Sequence, residues 1–208
     1  MDESGTRTEI EIKLKVASVQ EGLDKLALLP AELEEAPRFE DNEVYDTASG
    51  SLGATETLLR LRVVGERATV TLKEKVANDA AGGAPRAKVR TETETVVAFP
   101  DALRAVFARV GLVRVYRYQK YRSYHAWTDP KTGHQLAISL DDTPIGVFME
   151  LEGEQASIES AAAAMGFAAS EHIIDDYRTL HKAWAAQRGQ PFGDMVFDDV
   201  AEGGRQGG

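Results

Sequence analysis

The chain has 208 residues, of which 43% are hydrophobic and 28% charged, so it is long enough for one globular domain with a sizeable core and too short to require two. It contains no cysteine, which excludes a disulfide framework, a thiolate nucleophile and a cysteine-ligated zinc, and leaves oxygen or histidine to hold any metal. The formal net charge of −10 argues against an extended nucleic-acid surface, although local lysines, arginines or bound metals can make a single pocket basic.

The first part of the chain predicts strands around one amphipathic helix. Residues 8–16 alternate charged and apolar side chains, which is the pattern of a strand. The segment ASVQEGLDKLALLP predicts a short helix that Ser18 caps and Pro30 ends. Residues 34–47 are extended and lead into turn residues. The runs TLLRLRVV and ATVTLKEKV are separated only by residues 65–67 and therefore predict an antiparallel hairpin.

The second part continues this alternation after the small-residue loop NDAAGGAPRA. Strands are predicted at residues 88–99, 113–127 and 134–140 and from Gly146 onward, and helices at 100–111, 157–166 and 171–188. Roughly eight strands with short links and four helices favour an antiparallel α+β domain, and a closed or nearly closed barrel fits that count. We expect residues 1–190 to form this single domain and residues 191–208 to be a flexible C-terminal tail.

Charged side chains occupy one face of strand after strand. Glu9, Glu11 and Lys13 share a face that lies opposite three aliphatic residues. Later strands repeat the arrangement with Arg60 and Arg62, Lys73 and Lys75, Lys88 and Arg90 with Glu92 and Glu94, Lys120 and Arg122, Asp141, and Glu150 and Glu152. Solvent exposure explains any one of these faces, but neighbouring like charges repel each other. Carboxylate pairs that hold divalent cations and basic pairs that hold a polyanion would relieve that repulsion, so the combination indicates a site for metal and polyphosphate.

The residue types also suggest the chemistry. Glutamates suit the hard ions Mg²⁺ and Mn²⁺, and arginine forks match the geometry of phosphate oxygens. Phosphoryl transfer needs mainly positioning and charge neutralisation, so no protein nucleophile is required. The expected reaction is attack of a metal-activated water on a terminal phosphorus.

The segment EIEIK resembles the E-x-E-x-K signature of the CYTH family, also called triphosphate tunnel metalloenzymes. One such motif is weak evidence, but LRLR, TLKEK, VRTETE, KYR, SLDDTPIGVFMELEGE and DDYRTLH follow in the family's order over about residues 8–182. The resemblance implies a closed antiparallel eight-stranded β-barrel, the triphosphate tunnel, with flanking helices. Its interior would receive the charged faces, and the apolar faces would lie outside under the helices.

The resemblance also implies a role for each charged residue. Mg²⁺ or Mn²⁺ would be bound by Glu9, Glu11, Glu150 and Glu152, with Glu92, Glu94 and Asp141 in support or at a second metal. The triphosphate would be bound by Lys13, Arg60, Arg62, Lys73, Arg90, Lys120 and Arg122. The catalytic set would be Glu9, Glu11, Lys13 and Lys73, while Lys75 and Lys88 fit only the face pattern. Tyr177 and Lys182 could approach the substrate from the last helix, for which we favour simple packing.

Three functions remain open at this point. The first is hydrolysis of inorganic tripolyphosphate, thiamine triphosphate or a nucleoside triphosphate, and the alternative is a class IV-type adenylate cyclase that makes cyclic AMP and pyrophosphate. A non-catalytic polyphosphate-binding module is the third. No base-recognition motif is evident, and the histidines at positions 125, 134, 172 and 181 receive no role because their spacing does not suit metal ligation.

The expected partner is a small-molecule triphosphate, with neither nucleic acid nor membrane. No apolar run approaches the ~20 residues that span a bilayer, and the segment MDESGTRTE lacks the pattern of a signal peptide, so a cytoplasmic protein is predicted. The apolar outside of a barrel could pair two subunits as a homodimer.

Overall fold

The computed structural model describes residues 5–76 and 87–198, so most of the predicted small-residue loop lies outside the described residues. The strands are β1 (Thr6–Val16), β2 (Glu32–Thr47), β3 (Leu58–Val64), β4 (Arg67–Lys75), β5 (Lys88–Val97), β6 (Leu112–Thr128), β7 (Gln135–Thr143) and β8 (Gly146–Glu152). The helices are α1 (Val19–Leu26), α2 (Ser51–Ala54), α3 (Pro100–Arg109), α4 (Gln155–Ala164) and α5 (Tyr177–Gln187).

The strands close into an antiparallel barrel, as the sequence predicted. Their order around the wall is β1-β5-β4-β3-β2-β6-β7-β8, with β8 returning to β1. Short links make β3–β4, β6–β7 and β7–β8 antiparallel neighbours. The connections that carry α1 and α3 join strands that are not neighbours in the wall, β1 to β2 and β5 to β6.

The apolar face of β1 lies outside the barrel and is covered by a helix. Ile12 and Leu14 are fully buried in one cluster with Ile158 and Ala161 of α4 and with Met165, which follows the helix. Each buried aliphatic side chain of this kind contributes about 1.5–3 kcal/mol to stability. Glu9, Glu11 and Lys13 alternate with these residues and therefore point into the lumen.

Two local elements differ from the sequence prediction. The four-residue helix α2 replaces predicted turns, because the Asp46 carboxylate accepts hydrogen bonds from the backbone N–H groups of Leu52 and Gly53. Helix α5 begins at Tyr177 rather than at residue 171. Asp176 caps it, and Ile173 before it exchanges two backbone hydrogen bonds with Lys13.

Residues 191–198 depart from the predicted flexible tail. Met195 is only 1% exposed, donates its backbone N–H to Arg117 and accepts a backbone hydrogen bond from Gln119. This docking position exists because β7 pairs with β6 only from Tyr121 onward, which leaves the first part of β6 with a free edge. Residues 199–208 lie outside the described residues, and among the described residues no helix is both long and apolar enough to cross a membrane.

Candidate functional site

The lumen holds a cavity of about 780 Å³, which is within the range of small-molecule sites. Among the described residues, its wall contains eleven of the chain's 24 basic side chains but only nine of its 34 acidic ones. The basic ones are Arg7, Lys13, Arg60, Arg62, Lys73, Lys88, Arg90, Lys120, Arg122, Arg178 and Lys182. The acidic ones are Glu9, Glu11, Asp46, Glu56, Glu92, Glu94, Glu150, Glu152 and Asp176. A chain that is acidic as a whole thus concentrates its positive charge in one cavity, which suits a polyanion.

The first strand places Glu9, Glu11 and Lys13 in direct contact with opposite charges. Lys73 Nζ lies 2.6 Å from both carboxylate oxygens of Glu9. Lys13 Nζ lies 3.0 Å from Glu11 and 3.4 Å from Glu150. Burial alone would raise the pKa of Glu11, but Lys13 lowers it to about 2, with Lys73 and Lys88 in support. The carboxylate is therefore charged at neutral pH.

Acidic side chains also face each other across β1 and β8. Glu11 is the register partner of Glu152, so two carboxylates stand on directly opposed positions. Burial, followed by the charge of Glu9, raises the pKa of Glu152 to about 7, even though Arg7 lies 3.1 Å away. The carboxyl group of Glu152 is therefore only partly ionised at neutral pH.

The acidic side chains are of the type that binds a hard divalent cation. Glu9, Glu11, Glu150 and Glu152 offer carboxylate oxygens, which are the ligands that Mg²⁺ and Mn²⁺ prefer, and the opposed pair gains most from a cation. Within residues 5–76 and 87–198, no three acidic or histidine side chains already converge as a metal-binding group. The glutamates instead turn toward lysines and arginines, so a polyanion that engages those cations would free the carboxylates for a metal.

The basic wall contains a buried donor whose hydrogen bonds are incomplete. The guanidinium of Arg60 donates to the Thr71 hydroxyl at 3.1 Å and lies 3.9 Å from both Glu92 and Glu94. Its Nε atom is buried and lacks a hydrogen-bond partner in the part of the chain that the structure describes. A buried unpaired donor costs free energy, and a phosphate oxygen would satisfy it once the guanidinium turned that atom toward the cavity. Arg62, next to it along β3, donates to Asn42.

Asp141 does not line the cavity, in contrast to the role of metal support that the resemblance implied. Its carboxylate is fully buried and accepts hydrogen bonds from Lys120 at 3.0 Å, Arg122 at 2.5 Å and the Tyr177 hydroxyl at 2.5 Å. With its oxygens occupied in this way, Asp141 holds two cavity-lining cations in position. Arg122 also donates to Glu150, so the network reaches the carboxylate edge of the lumen.

This network leads to a stability prediction. We expect Asp141→Asn to lower the free energy of unfolding by about 3 kcal/mol, because Lys120 and Arg122 would lose the carboxylate that compensates their buried charges. The neighbouring variant Asp142→Asn is the control. Since burial raises the pKa of Asp142, neutralising that side chain should change stability little. Urea denaturation measures both, and equal small losses would contradict the proposed role of Asp141.

Of the remaining predicted residues, Arg90, Glu94 and Lys88 line the cavity and Lys75 does not. Arg90 lines it and donates to the Glu56 backbone oxygen at 2.7 Å, while Glu94 accepts from the Thr71 hydroxyl at 2.7 Å. Lys88 lines the cavity, and burial next to Lys13 lowers its pKa. Lys75 points to exposed Glu56 at 3.0 Å and does not line the cavity.

Helix α5 both packs on the barrel and contributes to the cavity wall. Tyr177 is buried against Asp141, and Leu180 and Trp184 join the apolar cluster around it, which agrees with the packing that we favoured. Yet Tyr177 and Lys182 also line the cavity, together with three neighbours that the sequence prediction missed. These neighbours are Asp176, Arg178 and Thr179.

Glu40 and Arg7 are inward-facing residues that sequence reasoning also missed. Glu40 lies 3.5 Å from Arg62 and 3.7 Å from Lys120, and Arg7 lies 2.8 Å from Glu92. The signal for Arg7 was present, because it falls two residues before Glu9 on the same face. The signal for Glu40 was its alternation with Asn42 along β2, which the mixed composition of that strand obscured.

Glu40 gives a prediction for pH dependence. Burial alone would raise the pKa of Glu40, but Arg62 and Lys120 lower it from 4.5 to about 2. The ionised group therefore stabilises the fold above about pH 4.5, and this contribution is lost as the pH falls toward 2. In Glu40→Gln, we expect the free energy of unfolding to fall less steeply as the pH is lowered through that window. A control, Glu32→Gln at the exposed start of β2, should keep the parent slope; identical slopes in all three proteins would contradict the assignment.

The fold and the lumen together define a class of protein, a closed antiparallel barrel that encloses facing carboxylates and a basic wall suited to a polyanion. The chain belongs to the CYTH family, whose domain model matches residues 7–171.

Solved structures support this assignment at the level of fold. A candidate adenylate cyclase from Vibrio parahaemolyticus is 16% identical, with 84% of this chain and 97% of that chain covered and a TM-score of 0.63. A conserved protein of unassigned function from Pyrococcus furiosus is 19% identical, with 81% and 97% covered and a TM-score of 0.64. A candidate adenylyl cyclase from Hippeastrum, described as having a dominant triphosphatase activity, is 18% identical, with 88% and 97% covered and a TM-score of 0.55. A search of curated proteins found no match.

Proposed function

We propose that this protein is a divalent-metal-dependent triphosphatase that hydrolyses the terminal anhydride of a triphosphate held in the barrel. The observation that carries the proposal is the basic cavity inside an acidic chain, with opposed carboxylates along one edge. The membership of the CYTH family supports it, since that family is metal-dependent and includes triphosphatases and cyclases.

The basic residues of the wall would bind the phosphate chain. Arg60 offers its unpaired Nε, and Lys120 and Arg122 are held in place by Asp141. Arginine forks and lysine ammonium groups would neutralise the charge that develops as the terminal phosphorus is transferred. Lys13 and Lys73 would leave their glutamate partners for phosphate oxygens, because the anion offers them more negative charge.

Glu9, Glu11, Glu150 and Glu152 would hold Mg²⁺ or Mn²⁺ once those lysines engage the substrate. The metal would supply charge neutralisation and a lowered pKa for attacking water. Lys13 keeps Glu11 ionised, as the low pKa of Glu11 indicates, whereas burial and the charge of Glu9 raise the pKa of Glu152 to about 7, so a bound cation would favour the ionised form of Glu152.

The two alternatives predict different products. A cyclase would release pyrophosphate and cyclic AMP from ATP, and the name of the Vibrio neighbour raises that outcome, whereas the description of the Hippeastrum neighbour favours triphosphatase activity. A binding module would hydrolyse no substrate. It would also have no need for opposed carboxylates such as Glu11 and Glu152, whose repulsion lowers stability in the absence of a cation.

The test is to supply tripolyphosphate, thiamine triphosphate and ATP separately with Mg²⁺ or Mn²⁺ and to measure phosphate, pyrophosphate and cyclic AMP. We expect orthophosphate to be the product and a chelator to stop its release. Cyclic AMP with pyrophosphate would replace the proposal by the cyclase, and metal-independent binding without turnover would replace it by the binding module.

A further inference from the structure

Helix α3 presents a nearly uncharged face to solvent. Its inner side packs Leu103 and Phe107 onto the outer surface of the barrel, in the cluster that contains Leu61. Its outer side exposes one charged residue near each end and four small or apolar residues between them. These six residues are Asp101, Ala102, Ala105, Val106, Ala108 and Arg109. A solvent-facing side of a helix is ordinarily polar, so this one suits contact with another protein surface.

Large apolar side chains extend this face along one flank of the helix. Phe99 is 75% exposed, Val106 51% and Val110 67%. Their spacings of seven and four residues place them on the same side of a helix. One exposed apolar side chain is normal in a globular protein, but three on one flank form a patch that gains free energy when a partner covers it.

The order of residues along α3 makes its outer face complementary to itself. Asp101 and Arg109 each lie four residues from Ala105, and the alanines at positions 102 and 108 each lie three residues from it. A second copy that approached antiparallel, about a twofold axis at Ala105, would bring its Arg109 opposite Asp101 and its Ala108 opposite Ala102. The small side chains would let the two helices approach closely. A twofold interface requires this kind of self-complementarity, with each contact made twice.

The charged groups at the two ends are available for such pairs. The Asp101 side chain is 95% exposed and lies 2.7 Å from Arg104, which also bonds Glu43 at 2.9 Å. Arg109 is exposed in the last turn and forms no ion pair with the residues that the structure describes. The two charges also suit the dipole of α3, which explains their signs but not the lack of charge between them.

We propose that α3 is a dimerisation surface and that its occupant is a second copy of this chain, bound antiparallel about a twofold axis at Ala105. The sequence alone suggested that two barrels pair by their apolar outside, and α3 gives that pairing a place, an orientation and complementary charge. The inference is independent of the proposed triphosphatase function, because none of the α3 residues lines the cavity.

The experiment measures molar mass by sedimentation equilibrium over a range of protein concentrations. We expect the parent protein to be in equilibrium between monomer and dimer. Ala105→Glu should raise the dissociation constant of the dimer about a hundredfold, because it places two like charges together at the axis. The matched control is Ala183→Glu, the same change at an exposed position of α5 outside the cavity, and it should keep the parent constant. Circular dichroism checks that both variants are folded.

Charge reversal tests the antiparallel orientation. Asp101→Arg and Arg109→Asp should each weaken the dimer about tenfold, because each variant replaces both ion pairs by like charges. The double variant restores the pairs with reversed sign and should recover most of the parent affinity.

Three results would overturn the proposal. The first is a parent protein that stays monomeric up to its highest soluble concentration. The second is a dimer that Ala105→Glu weakens no more than Ala183→Glu does. The third is a double charge-reversal variant that dimerises no more tightly than the single ones.

Discussion

Replacing Glu11 by glutamine is expected to lower metal-dependent phosphate release about a thousandfold while the barrel remains folded. Glutamine keeps the shape of the side chain but removes a charge that the structure maintains through Lys13, and with it one of the two carboxylates that oppose each other across β1 and β8. The metal concentration for half-maximal rate should rise together with the loss of rate. Phosphate release measured over a titration of Mg²⁺ or Mn²⁺ gives both quantities.

Glu66→Gln is the matched control for this prediction. It removes one negative charge from an exposed residue of the turn between β3 and β4, outside the cavity. Its rate and metal dependence should equal those of the parent. A Glu11→Gln variant that is as active as Glu66→Gln would mean that this carboxylate has no part in metal binding. If Glu11→Gln is unfolded at the assay temperature, so that unfolding explains its lost activity, Glu11 has a structural role.

Replacing Arg60 by alanine is expected to raise KM for the preferred triphosphate about a hundredfold, with a smaller effect on the metal concentration that the enzyme needs. A hydrogen bond to a charged group contributes about 1.5–3 kcal/mol, and the unpaired Nε makes Arg60 the donor with most to gain from phosphate. Arg60→Lys should give an intermediate value, because it keeps the charge but loses the fork. Steady-state kinetics at saturating metal separates KM from kcat.

The exposed Arg67 at the start of β4 provides the control for Arg60, since Arg67→Ala also removes a guanidinium but lies outside the cavity. It should leave KM unchanged. If Arg60→Ala alters kcat alone, then Arg60 acts on the transferring phosphoryl group without holding the substrate, and the assignment of Arg60 as a ground-state phosphate ligand is wrong.

The barrel was predictable because its strands carry an unbroken alternation. Glu9, Glu11 and Lys13 with the aliphatic residues between them define both faces of β1, and the same period recurs on β3, β6 and β8. Alternation alone does not say which face is inside, because a wet outer face has the same pattern. That decision came from the order of the charged motifs, and the helix packed on Ile12 and Leu14 confirms it.

What could not be predicted depends on contacts between distant segments. Asp141 shares the alternation of its strand, but its carboxylate is occupied because Tyr177, 36 residues later, donates to it. Met195 docks on β6 because the pairing of β6 with β2 is longer than its pairing with β7. No local sequence pattern reports that difference. Phe192 is one aromatic residue in a polar stretch, and only its stacking on Tyr116 reveals a place in the cavity wall.

The central claim is that water attacks the terminal phosphorus of a triphosphate held in the lumen. The most direct measurement is to run the reaction in heavy-oxygen water with the triphosphate that the protein turns over fastest, in the presence and absence of metal. We predict that the label appears in the released orthophosphate, only when metal is present, and that Glu11→Gln suppresses it. Cyclic AMP with unlabelled pyrophosphate, or label release that does not depend on metal, would contradict the account.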